Sequence, residues 1–169
     1  LKQDKIAKVS LGYDTSLFSG PAWNPRWPSS YGDSVSRTSA LLVDDGGVGS
    51  VSPSPRYKDP AKEAATAFSA ALSKQGIKVT TTQRARAPKS APVIARASSM
   101  RLERIVEHVL MISDNDAAEV LFRQAAVGAG KAGSITEATK VVRSELTKLG
   151  IWSPGMAISD GSGLTRQTG

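Results

Sequence analysis

The chain has 169 residues, 40% of them apolar, with a formal net charge of +7, which is enough apolar content for one ordinary domain or two small pieces of a larger one. Without cysteine it has no disulfide, thiol nucleophile or cysteine-based zinc site, and its single histidine, His108, cannot build a histidine-rich metal site alone. No run of about 18 apolar residues occurs, which excludes a transmembrane helix within it, and the positive charge favours polyanionic partners without specifying a chemistry.

The first residues, Leu1-Lys2-Gln3-Asp4-Lys5, have neither an initiator Met nor a signal-peptide layout, and the chain stops at Arg166-Gln167-Thr168-Gly169 without a helix stop. Both ends read as cuts in a longer protein. From Leu1 to about Asp45, Pro21, Pro25 and Pro28 interrupt any helical pattern, so loops and short strands are expected, among them a strand at Thr38-Ser39-Ala40-Leu41-Leu42-Val43. Asp59 then caps a helix with Pro60 at its first position, carrying Ala61, Ala64, Ala65, Phe68, Ala71 and Leu72 at helical spacing until Gly76 stops it. Ile77-Lys78-Val79-Thr80 alternates as a strand, and Val93-Ile94-Ala95 is a second candidate. The basic residues Arg84, Arg86, Lys89, Arg96, Arg101 and Arg104 are spread through a Pro-containing stretch without aromatics. They read as a solvated, partly looped surface and not as a nucleic-acid site, which would need stacking platforms.

Ser98 or Ser99 can cap a helix running to about Ile112, with Leu102, Ile105, Val106, Val109 and Leu110 as its apolar stripe. After Ser113-Asp114-Asn115 a second helix is expected near Asp116, turning Ala117, Ala118, Leu121, Phe122, Ala125 and Ala126 inward and ending at Gly128 and Gly130. A capping box, Ser134 with Glu137, opens a third helix that ends at Gly150.

Three motifs bear on chemistry. Gly128-Ala129-Gly130-Lys131-Ala132-Gly133 has the glycine spacing of a dinucleotide loop, but a helix precedes it where a strand is required, so it reads as a helix–helix turn. Ser113-Asp114-Asn115 can hold a hydroxyl and a carboxamide at the lip of a cleft, and the same residue types also suit a helix N-cap. Asp160-Gly161-Ser162-Gly163-Leu164 is a turn whose glycines would let backbone N–H groups approach a ligand; it lacks the glycine spacing of a nucleophile elbow. A metal loop built on Asp114, Asp116 and Glu119 lacks the glycine and the later bidentate acid that calcium requires.

Taken together, Met111-Ile112-Ser113-Asp114-Asn115-Asp116-Ala117-Ala118-Glu119 and Ser159-Asp160-Gly161-Ser162-Gly163-Leu164-Thr165-Arg166 resemble the two internal signatures of DacB-like D-Ala-D-Ala carboxypeptidases, the class C penicillin-binding proteins. Tyr13-Asp14-Thr15-Ser16-Leu17-Phe18, Trp23-Asn24-Pro25-Arg26-Trp27-Pro28 and the helix opening at Asp59-Pro60-Ala61 are similar to the preceding region of that family. The resemblance implies a serine peptidase acylated by peptidoglycan stem peptides or by β-lactams, working outside the cytoplasm without metal or cofactor. It implies Ser113 in the proton-relay network and Asn115 as a catalytic and substrate-binding amide. No Ser is followed three positions later by Lys, and no Lys by Thr-Gly or Ser-Gly, so the family's nucleophile and third motif are absent from these residues. The expected fold is α+β, part of a penicillin-binding-protein/β-lactamase-like serine peptidase, with residues 1–96 ending an inserted α/β region and 97–169 forming the helical part that carries Ser-Asp-Asn. The alternatives are a non-catalytic cell-wall or partner-binding module and, on charge alone, a nucleic-acid binder.

Overall fold

The structure, a computed structural model, describes residues 6–49 and 54–165, so the expectations about both chain ends lie outside it. It is a mixed α/β arrangement, in keeping with the expected fold class. Strand β1 (Lys8–Tyr13) pairs in parallel with β2 (Lys78–Arg84), Lys8 opposite Lys78 and Tyr13 opposite Arg84, with one irregularity between Val9 and Ser10. A parallel pair needs a crossover, and helix α1 (Pro60–Lys74) lies on this one. Asp59 caps α1 by accepting the Lys62 N–H at 3.1 Å, and Pro60 occupies the first position, where a missing N–H costs nothing. Ala61 and Ala65 pack on Tyr13, with Leu11 and Leu41 at the edge. Phe68, expected inward, is exposed because a two-stranded sheet covers only the first turns of α1.

Two expected strands do not form. The Thr38–Val43 stretch uses isolated bonds, such as Thr38 N–H to Ala22 O at 2.9 Å and Leu41 N–H to Ser39 Oγ at 3.3 Å, and is not in a ladder. Val93-Ile94-Ala95 lies in a stretch, residues 85–101, that is exposed throughout and contains no strand.

Three helices follow: α2 (Leu102–Ile112), α3 (Asn115–Gly128) and α4 (Ile135–Lys148). Phe122, Ala126 and Ala138 form the core between α3 and α4, flanked by Ile135, Val142 and Ile158. Ser134 accepts the Glu137 N–H at 3.2 Å, as its capping box requires. The glycine-rich 128–133 stretch is a helix–helix turn; a Cβ on Gly133 would come 2.6 Å from Leu17 O, so glycine there permits a close backbone approach.

Two helices differ from expectation. Arg101, not Ser98 or Ser99, precedes α2 and provides no side-chain cap, and the apolar residues Leu102, Leu110, Met111 and Ile112 stay exposed. Helix α3 starts one residue earlier, at Asn115, because the Asp114 carboxylate accepts the Ala117 N–H at 2.9 Å. Its buried face is Asp116, Glu119, Phe122, Arg123 and Ala126, while Ala117, Ala118, Leu121 and Ala125 are half-buried. Its polar members meet loop backbone, whose N–H and C=O groups need polar partners.

Candidate active site

Ser113 ends α2 with φ 56° and ψ 48°, the left-handed region. A non-glycine residue held there costs about 1–2 kcal/mol, and such outliers concentrate at functional sites. The conformation turns the chain so sharply that α3 begins two residues later. Ser113 is left exposed, and Asn115, the first residue of α3, donates from Nδ2 to Ser34 O at 3.2 Å. The structure thus brings the two predicted site residues to one rim, the corner between α2 and α3, with Asp114 as the helix cap.

Beneath that rim, Asp116 is buried at 5% exposure. Its Oδ1 accepts the Ser36 N–H at 2.6 Å, and its Oδ2 lies 3.3 Å from Arg56 Nη2. Burial pushes the Asp116 carboxyl up to about 6, against the opposing pull of the Ser36 N–H and Arg56, and the charges of Asp45 and Asp114 push it the same way as burial.

One turn further along α3, Glu119 Oε1 accepts Gly161 N–H at 2.8 Å, Ser162 N–H at 2.9 Å and the Ser162 hydroxyl at 2.8 Å. The expectation that this turn offers its N–H groups to a ligand is therefore corrected: those of Gly161 and Ser162 bind Glu119. Burial raises the Glu119 carboxyl while these three donors lower it. Gly161 lies so close to α3 that a Cβ would come 2.5 Å from Ala118 O. Asp160 closes the turn by accepting the Gly163 N–H at 2.9 Å and two bonds from Thr165, and it receives Trp27 Nε1–H at 2.9 Å. Asn24 Nδ2 donates to Ser159 O at 2.8 Å, so the 24–27 segment holds the same turn from outside. Arg123 ties the next stretch, donating to Ser19 O at 2.9 Å and Pro21 O at 2.6 Å.

Residues 48–168 match the model of the D-Ala-D-Ala carboxypeptidase 3 (S13) family. The chain belongs to that family. Among curated relatives, it is 29% identical over 168 residues to a carboxypeptidase of Mycobacterium tuberculosis and 30% identical over 164 residues to carboxypeptidase DacB of Mycolicibacterium smegmatis. These alignments take in 98% and 95% of this chain but 36% and 35% of the relatives' own lengths. Penicillin binding protein 4 (dacB) of Haemophilus influenzae has a similar fold, with a TM-score of 0.78 at 20% identity over 98% of this chain and 52% of that one.

For this S13 member, the residues that build the rim were partly hidden in the sequence. Asp116, Glu119 and Arg123 were missed as buried groups, although with Phe122 and Ala126 they recur at helical spacing and so mark one face. Ser36 and Arg56 carry no local signal, since their partner lies 80 and 60 residues away respectively. Among the described residues, no group of three His, Asp or Glu side chains is placed to hold a metal ion, and no helix is long and apolar enough to cross a membrane.

Proposed function

We propose that this S13-family chain is the part of a serine-type D-Ala-D-Ala carboxypeptidase that carries its proton-relay serine and its substrate-binding asparagine. The single observation carrying this reading is the rim itself: Ser113 exposed in a left-handed conformation, with the Asn115 amide fixed against Ser34 O beside it. Asn115 has a second amide hydrogen and a carbonyl oxygen to offer a substrate backbone, and Ser113 an exposed hydroxyl to pass a proton. The names of the two mycobacterial relatives and of the Haemophilus neighbour agree with this chemistry.

In the proposed reaction, a nucleophilic serine supplied by another segment attacks the D-Ala-D-Ala carbonyl of a peptidoglycan stem peptide, releases the terminal D-Ala and leaves an acyl-enzyme that water hydrolyses. A β-lactam would be attacked at the same place. Such a protein works on the wall, outside the cytoplasm. The division into 1–96 and 97–169 belongs to the same proposal, supported by the exposed stretch 85–101, which contains neither helix nor strand.

Intact mass after incubation with a penicillin tests the reading on this chain and on one extended at both ends. A penicilloyl adduct on the extended chain alone is expected. An adduct on this chain would make one of its own serines the nucleophile, and no adduct on either would point to a non-catalytic wall-binding module.

A further inference from the structure

Resting on that catalytic reading of the rim, we propose that Asp116 is a positioning residue for Asn115, acting through a clamp it forms with the Ser36 amide and the Arg56 guanidinium. The segment at residues 34–36 meets the first turn of α3 by two rungs. The outer rung joins Asn115 Nδ2 to Ser34 O at 3.2 Å, near solvent; the inner one joins Ser36 N–H to Asp116 Oδ1 at 2.6 Å, buried. Val35 between them is fully buried, so the segment cannot slide along α3 without opening a core position. The placement of Ser34 O, and with it the direction of the Asn115 amide, is therefore set by the inner rung.

Arg56 completes the clamp from a third stretch of chain, with each Asp116 oxygen engaged by a different partner. Among the described residues, the other charged groups that act on Asp116 are acids: Asp45 in the short turn Asp44–Gly46 and Asp114 in the α3 cap. Asp45 in turn faces Arg56, Asp44, Asp114 and, across on α2, His108. Among these groups Arg56 is the cation that directly engages Asp116. Protonating Asp116 removes its attraction for Arg56 and loosens the inner rung. Neutral Asp116 is thus expected to leave Asn115 less well aimed, a loss read as slower acylation and not as weaker folding.

The test uses the full-length protein and measures the second-order rate of acylation by a fluorescent penicillin across pH, with Asn115→Ala as the reference for a disabled rim. Wild-type acylation is expected to fall as pH is lowered through about 6. Asp116→Asn should acylate roughly tenfold more slowly near neutral and alkaline pH, without the limb near 6, and should converge with wild type in acid. Arg56→Gln keeps the Ser36 bond but removes the cation that holds the Asp116 carboxyl down, so its limb should move to higher pH. If Asn115→Ala is slow while Asp116→Asn matches wild type at every pH, the clamp is wrong and the catalytic reading stands. If Asn115→Ala itself acylates normally, that reading of Asn115 fails and the clamp with it. Should Asp116→Asn not fold, an unmoved limb in Arg56→Gln overturns the proposal on its own.

Discussion

The α2–α3 corner and the 159–165 turn each rest on a buried carboxylate of α3, one turn apart, and the two carboxylates are held by different chemistry. Glu119 takes three donors from one short turn and, among the described residues, forms no ion pair, whereas Asp116 takes one N–H and one guanidinium from two distant segments. The first arrangement staples a turn to a helix. The second joins three stretches of chain through a bond whose strength depends on charge. Burial raises both carboxyls and donors oppose it at both, but on protonation Glu119 keeps an acceptor oxygen for its turn, whereas Asp116 also loses the Coulombic attraction of a cation.

The largest expected effect separates these two roles at Glu119. Glu119→Ala strips the acceptor from two backbone N–H groups and a hydroxyl, and at the usual cost of unsatisfied buried donors should lower unfolding free energy by about 3 kcal/mol or more. Glu119→Gln keeps an acceptor oxygen and sheds the buried charge, so about 1 kcal/mol is expected. Denaturant unfolding of both variants checks the pair. Equal losses would mean that the Glu119 charge matters as much as its acceptor, and the contrast with Asp116 would collapse.

The next effect is the pH dependence tied to Asp116. Its carboxyl is raised from 3.8 to about 6, chiefly by burial, so the folded state binds that proton more tightly than the unfolded chain does. The sign follows: this group's contribution to stability is full below about pH 4 and is lost as pH rises through about 6. Roughly two pKa steps correspond to about 3 kcal/mol. Asp116→Asn should remove that slope from a series of unfolding curves taken between these limits. Over the same window acylation is expected to rise, so the charged clamp would aid the site at the expense of the fold.

How much of this was readable in advance depends on how far each contact reaches. The caps at Asp59-Pro60 and at Ser134 with Glu137 were legible because donor and acceptor lie within three residues. The Ser113-Asp114-Asn115 triplet was legible as a corner, and its N-cap reading holds at Asp114, which caps α3, while Ser113 and Asn115 flank it at the corner. The strands at 38–43 and 93–95 failed because an apolar run becomes a strand only beside an edge that will pair with it. The inward face of α3 failed for a related reason. Composition favoured its alanines, but what lies opposite is backbone from residues 19–36 and 159–165, which selects Asp116, Glu119 and Arg123.

The smallest expected effect concerns Ser113 and runs opposite in sign to the others. Its φ of 56° lies where glycine is comfortable and serine is strained. Ser113→Gly should therefore leave the corner intact and stabilise the protein by about 1 kcal/mol, somewhat offset by glycine's greater freedom in the unfolded chain. If the hydroxyl serves the proton relay, the same variant should acylate far more slowly with penicillin while melting slightly higher. A variant that is both more stable and fully reactive would make Ser113 a simple hinge between α2 and α3. The proton relay would then have to be sought elsewhere on the rim, while the Asp116 clamp on Asn115 would be untouched.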